Sequence, residues 1–324
     1  MTARFAGRHM TGAVHVAVIA VLLTVRPAAQ GRRGEQAPKV ARIEQVRDNL
    51  YWITEGTGAP GASNLAVFVE DTGVVLVDTK NPGWGDEIHR LIGSVTDKPV
   101  RTVVNTHVHR DHTGSNPEFP DRTEFIVQDN TRANLLKEVC EPIANCGFLA
   151  PDRASHVPRK TFKDHMTIGT GRDRIELYNF GPAHTNGDAI VVFPTQRTAH
   201  LGDLFARKSL PNIMATDGGA ILGHLHTLNQ ALTTLQNIDT IITGHATSLF
   251  TWTDFQEFVQ MNRDFVRAAQ DGLRARKKAD EVAAEIVAAL TRKYPTYDFA
   301  LPKAKENVSL LYDEIYSSGH YVGN

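Results

Sequence analysis

Cysteine is scarce in this 324-residue chain, which has only Cys140 and Cys146. One close pair cannot supply the four thiolates of a cysteine zinc site. Net charge is also nearly absent: 35 Lys and Arg stand against 36 Asp and Glu, with no basic run. That balance gives no electrostatic reason for a nucleic-acid partner. Long apolar runs are missing except for Ala13 to Val25, which His15 and Thr24 interrupt. It is shorter than the roughly 20 residues a spanning helix needs. No internal repeat and no low-complexity tract occurs. There is no Gly-x-Ser-x-Gly elbow either, so no serine nucleophile is indicated.

The apolar run has a different meaning in its context. Arg4, Arg8 and His9 precede it, and the small residues Ala28 and Ala29 follow. A basic start, a short apolar core and a small-residue exit predict a secretory signal peptide over 1–30, with cleavage near Ala29 or Gln30. The mature protein is then expected to be exported, periplasmic or secreted, with no membrane association after cleavage. A polar lead-in follows over 31–39. In an oxidising compartment the two cysteines are expected to form a structural disulfide closing a small loop, so its stabilisation is modest.

From residue 40 the pattern turns to strands. Val40 to Val46, Leu50 to Thr54, Leu65 to Val69 and Val74 to Val77 are apolar runs bounded by turn residues, as in an antiparallel meander. A helix over 83–95 and a buried strand over 100–105 follow. Further strands are expected at 125–127, 174–180, 189–193, 198–201 and 239–242. Helical periodicity marks 222–236, 254–272 and 279–293. Two long irregular stretches, 140–160 and 206–221, the second with Ile213, Met214 and the Gly218-Gly219 pair, are expected to wall a pocket. The order of β-rich and helical blocks fits sheets covered by helices, with a catalytic domain over 40–250 and a C-terminal helical extension over 251–324 packed on it.

Histidine is the residue in excess, with 14 in all. The densest cluster is Thr106-His107-Val108-His109-Arg110-Asp111-His112. In an extended strand His107 and His109 would share a face, with Asp111 and His112 in the loop beyond. Three imidazoles and a carboxylate within six positions suit Zn²⁺. His184, Asp203 and His245 each follow an expected strand with glycine close by, where folds present functional groups. His224 and His226 read as surface residues at a helix start.

With these residues in place, the chain resembles the metallo-β-lactamase superfamily through its His-x-His-x-Asp-His signature and the later histidine, aspartate and histidine. The resemblance implies an α/β fold, an αββα sandwich of two mixed β-sheets flanked by helices. It implies that His107, His109 and His184 hold one zinc and that Asp111, His112 and His245 hold a second, with Asp203 bridging the two. Asp78 matches the family's first motif, a residue behind the ligands, and Asp188 is expected to orient a ligand histidine through its outer ring nitrogen. Plasmid-type β-lactamases of this superfamily carry cysteine where Asp203 stands, so the chain looks instead like the lactonase, thioesterase, ribonuclease and general hydrolase branches.

The expected activity is hydrolysis: a metal-bridging hydroxide attacks the carbonyl of a small ester, lactone or amide, β-lactams included, and Asp111 or a metal-bound water carries a proton to the leaving group. The alternatives are a thioester hydrolase, a mononuclear iron dioxygenase using His107, His184 and Asp203, a nuclease, and a binding protein that kept the fold. Balanced charge counts against the nuclease, and the intact ligand set against the binding protein.

Overall fold

Strands whose successive residues are all apolar are covered on both faces, and this chain has several. The computed structural model describes residues 1–2, 40–54, 63–148 and 150–318. The expected signal peptide over 1–30 and lead-in over 31–39 therefore lie outside the described residues, Met1 and Thr2 apart. Seven strands form one sheet in sequence order: β1 (Ile43–Arg47), β2 (Leu50–Ile53), β3 (Leu65–Val69), β4 (Val74–Val77), β5 (Val100–Val104), β6 (Glu124–Gln128) and β7 (Lys160–Phe162). The first four are antiparallel neighbours, and β4 to β7 run parallel. The second sheet contains β8 (His165–Ile168), β9 (Ile175–Tyr178), β10 (Ile190–Phe193), β11 (Thr198–His200), β12 (Thr240–Ile242) and β13 (Phe250–Thr251), in the reverse order. Within it only β11 and β12 are parallel.

Side-chain alternation sorts these strands into layers. Leu65, Val67, Val74 and Leu76 face outward onto Ile88, Leu91 and Ile92 of α1 (Gly85–Gly93). Their neighbours Ala66, Phe68, Val75 and Val77 face inward and meet Ile175, Leu177, Val191 and Phe193 of the second sheet. The Phe68 and Phe193 rings sit 5.3 Å apart in this middle layer. On the far side Ile190, Val192, Ala199 and Ile241 pack under α4 (Ile221–Thr234), α5 (Trp252–Arg274), α6 (Ala279–Lys293) and α7 (Leu301–Ser317). Two mixed sheets flanked by helices result, an αββα sandwich.

The C-terminal helices share one core with the second sheet. Phe205 stacks on Phe258 of α5 at 4.2 Å, and Gly272 lets α5 approach α6 closely, since a Cβ there would fall 2.4 Å from Val282. The start of α4 has no side-chain cap of its own. Glu314 of α7 supplies one, accepting from the Ile221 and Leu222 amides at 2.5 and 2.9 Å. A carboxylate there satisfies orphan donors and meets the positive end of the helix dipole. Among the described residues no helix is long and apolar enough to cross a membrane.

Candidate metal centre

Five strands stop at the same end of the sandwich, and the residue types singled out in the sequence lie just past them. Asp78 follows β4, the His107–His112 cluster follows β5, His184 follows β9, Asp203 follows β11 and His245 follows β12. The expected extension of the β5 strand toward His107 and His109 is corrected: β5 ends at Val104. The Thr106 amide bonds to Asp78 Oδ1 at 2.7 Å rather than to a neighbouring strand. Asp111 and His112 lie on a short helix, α2 (Arg110–Thr113), with His109 at its N-cap. This turn swings all three histidines of the cluster inward, and each is at most 1% exposed.

The ligand-bearing side chains form two groups, His107, His109, His184 and Asp203 in one and Asp111, His112 and His245 in the other. In the first, His109 Nδ1 is 3.0 Å from both His107 Nε2 and His184 Nε2, which are 3.3 Å from each other. The outer contacts fix where the protons are. His184 Nδ1 faces the Asn212 carbonyl, so it donates. His109 Nε2 faces Asp217 Oδ2 at 3.3 Å, so it donates too. Thr106 donates its only hydroxyl proton to Asp78 Oδ2 at 2.8 Å, so His107 Nδ1 must donate to Thr106 at 3.0 Å. Each inward nitrogen is then a bare lone pair. Three lone pairs converge with no donor between them, the arrangement that a bound cation fills. Burial first, and the neighbouring imidazoles second, push His107 well below the ordinary histidine range. Burial chiefly takes His184 down to about 3. Both rings therefore stay unprotonated, as metal ligands must be.

The second group has the opposite electrostatics. His112 Nδ1 bonds Asp78 Oδ2 at 2.7 Å. Its Nε2 points at Asp111 Oδ2 (3.4 Å) and Asp203 Oδ1 (3.5 Å) without a hydrogen bond. His245 Nε2 lies 3.1 Å from Asp111 Oδ2 and 3.2 Å from Asp203 Oδ1. Burial opposes charge on His245, but Asp203 and Asp111 overcome it and raise the ring to about 9. His112 is likewise raised despite burial, by Asp111, Asp78 and Asp203. Burial works against Asp111 too, yet His112 and His245 hold it below the usual carboxylate range. Without metal these imidazoles hold protons that a cation must displace, so metal uptake at neutral pH releases protons and weakens as pH falls. Asp203 faces both groups, its Oδ2 being 3.7 Å from His184 Nε2. These donors fit a pair of bound metal ions, and the site is a metal-binding one.

Asp78 stands behind the ligands, tied to Thr106 and His112. The expectation for Asp188 is corrected. Its carboxylate accepts from the Thr185 amide (2.9 Å) and hydroxyl (2.7 Å), pinning the turn after His184 rather than the His184 ring. Burial raises Asp188 to about 7. The ring is held instead by the Asn212 carbonyl, which sequence reading missed because a backbone acceptor leaves no residue signature. Asp217 behind His109 was also missed: it is 3% exposed, in a Thr-Asp-Gly-Gly turn indistinguishable from a surface turn. The surface reading of His224 is corrected too. It is buried on α4 and bonds the Leu204 carbonyl at 3.0 Å, while burial lowers it to about 4; His226 is exposed.

The metal groups open into a cleft of about 400 Å³, walled by Ile143, Arg207, Leu210, Asn212 and, from the C-terminal region, Lys303. Both irregular stretches thus contribute, but Ile213 belongs to the core and Met214 to Gly219 wrap His184. The Cys140–Cys146 disulfide closes the loop that presents Ile143 and pairs with the metal motif through Arg110 N to Ile143 O (2.8 Å) and Asn145 N to Val108 O (3.0 Å). A larger cleft of about 500 Å³ near Arg122 and Arg159 holds no metal-ligating cluster, so the chemistry belongs to the smaller one.

Comparison with known proteins agrees with this geometry. The model of the metallo-beta-lactamase superfamily matches residues 58–245, more than half of the chain, and the chain belongs to that superfamily. Among solved structures, the metallo-beta-lactamase from Pontibacter korlensis superposes with a TM-score of 0.54 at 17% identity, covering 69% of this chain and 99% of that one. DIM-1 metallo-beta-lactamase gives 0.53 at 18% identity, covering 69% and 97%. At such identities the likeness is one of fold. A curated relative, 2,4-dinitroanisole O-demethylase subunit alpha of Nocardioides sp. (strain JS1661), is 31% identical over 163 residues, 49% of this chain. The chain matches 45% of that relative's length.

Proposed function

We propose that the protein is an exported, zinc-dependent hydrolase of small esters, lactones or amides that holds two Zn²⁺ per chain. His107, His109 and His184 would hold one ion, Asp111, His112 and His245 the other, and Asp203 both. The observation that carries this reading is the single carboxylate of Asp203 set between two ligand groups, one of three imidazoles whose inward nitrogens have no donor among them and one of two imidazoles and a carboxylate. Bound there, the zinc pair supplies Lewis acidity and a water acidic enough to act as nucleophile near neutral pH.

The chain's own residues do the rest. The outer contacts of His107, His109 and His184 keep their lone pairs aimed inward, so no reorganisation is needed at the moment of reaction. Asp111, 16% exposed and lining the cleft, would pass a proton to the leaving group. Ile143 and Leu210 line the approach with apolar surface. A cleft of about 400 Å³ suits a small molecule. Export is supported by the basic, apolar and small-residue sequence of 1–30 and by the disulfide.

A mononuclear iron dioxygenase would use only His107, His184 and Asp203 and leave Asp111, His112 and His245 without a role. The curated relative's name favours one further substrate class, an electron-poor aryl methyl ether, in which hydroxide would add at the ring carbon bearing the methoxy group and the bond to methoxide would break, giving the phenol and methanol. The test is metal-free protein reloaded with Zn²⁺ and assayed on an ester, a lactone, a thioester, a β-lactam and 2,4-dinitroanisole. Zinc-dependent hydrolysis of a carbonyl substrate is expected. Turnover that requires iron and consumes O₂ would contradict the proposal.

A further inference from the structure

The three histidines of the first group rest their outer nitrogens on three different supports: a hydroxyl, a backbone carbonyl and a carboxylate. The carboxylate is Asp217, and nothing in the metal-binding signature points to it. It sits 108 positions after His109, on the stretch 206–221. Its place is set by a tightly closed turn. Asp217 N and Gly219 N both bond Met214 O, at 3.0 and 2.9 Å, and Met214 N bonds His184 O at 2.8 Å. Asp217 O accepts from Asn186 N at 3.0 Å, and Ala220 N bonds Ala183 O at 2.9 Å. Gly218 has φ 76°, and a Cβ there would meet the Asn186 side chain at 2.7 Å, while a Cβ on Gly219 would fall 2.2 Å from the His184 carbonyl. The turn is therefore clamped to the backbone that carries His184, and it presents Asp217 Oδ2 to a histidine from the other sheet. The second group has a counterpart: Asp78, wholly buried, lies behind His112 at 2.7 Å. Each group thus contains one imidazole backed by a buried carboxylate.

We propose that Asp217 is a positioning residue for the first metal group. It fixes His109 as the tautomer protonated at Nε2 with Nδ1 turned to the metal, and it raises that group's metal affinity independently of the second. This rests on the proposed two-zinc reading. A carboxylate behind a ligand imidazole locks ring orientation and increases ligand basicity, and its loss characteristically costs about 10- to 100-fold in metal affinity. Asp217→Ala removes the acceptor, Asp217→Asn replaces the anion with a neutral amide of the same shape, and Asp217→Glu restores the charge.

The experiment measures Zn²⁺ affinity by chelator competition in two backgrounds. His112→Ala disables the second group and leaves the first as the readout; His184→Ala does the reverse. In the His112→Ala background, Asp217→Ala is expected to weaken Zn²⁺ by about 10- to 100-fold, Asp217→Asn by less, and Asp217→Glu least. In the His184→Ala background the effect should stay within about twofold, whereas Asp78→Asn should weaken that group. Unchanged affinity in the first background, or equal weakening in both, overturns the proposal. Parent proteins that bind no Zn²⁺ at all overturn the two-zinc reading itself. If Asp217→Ala does not fold, nitrogen NMR of the zinc-loaded native protein decides. A proton on His109 Nε2 with metal on Nδ1 supports the proposal, and the opposite tautomer overturns it.

Discussion

Asp203→Ala is expected to strip metal from both groups at once and to lower turnover by three or more decades, the equivalent of several kcal/mol of lost Lewis-acid stabilisation. The reason is position. Asp203 Oδ1 approaches His245 Nε2 at 3.2 Å and His112 Nε2 at 3.5 Å, while Oδ2 approaches His184 Nε2 at 3.7 Å. Removing it also leaves His112 and His245 with only Asp111 between them in this buried space, so protons held there lose a counter-charge. His245→Ala, by contrast, should empty the second group and leave the first loaded. Metal content per chain separates these outcomes. Asp203→Ala protein that keeps a full complement would show that the carboxylate is not shared.

The second large effect is expected from a residue that binds nothing. Gly244 precedes His245, and a Cβ built on it would stand 1.9 Å from Asp203 Oδ1 and 3.0 Å from the Gly202 carbonyl. Its backbone cannot retreat easily, because Gly244 N bonds Gly202 O at 2.9 Å and Asn64 N bonds Gly244 O at 2.7 Å. Gly244→Ala should therefore displace the Asp203 carboxylate, weaken metal binding, and cost about 10²-fold in turnover, as displacements near 1 Å do. Gly93 is the control: nothing lies within 4 Å of its added Cβ, so Gly93→Ala should leave metal content and turnover unchanged. Metal content and rate for both variants check the pair. A Gly244→Ala protein with native metal affinity would mean that this close packing does not hold the carboxylate in place.

Much of the centre was readable because its ligands are chemically unusual and follow apolar strands. The runs Leu65–Val69, Val74–Val77 and Ala279–Lys293 appear in the structure with the bounds that periodicity assigns them. β7, β8 and β13 carried too little pattern: they have two to four residues, and Lys160, Thr161, His165 and Thr167 break any apolar run. The β5 strand was read a residue long because Asn105 and Thr106 continue an extended chain, while the Asp78 carboxylate, remote in sequence, takes the Thr106 amide. The supports behind the ligands were the least legible part. Asp78 showed as a strand-end aspartate, but Asn212 acts through its backbone carbonyl and Asp217 through a long-range approach. Asp188 was assigned the role Asn212 performs, because its spacing from His184 is equally consistent with bracing the turn. The contribution of the C-terminal helices, Glu314 at the start of α4 and Lys303 at the cleft, depends on tertiary packing that no local pattern encodes.

The count of zinc ions per folded chain tests the central claim most directly, by native mass spectrometry of metal-free protein titrated with Zn²⁺ at neutral pH. Two ions bound tightly in succession, with the second lost in His112→Ala, is the predicted result. A chain that saturates at one ion, or that binds none while folded, would contradict two ligand groups joined through Asp203.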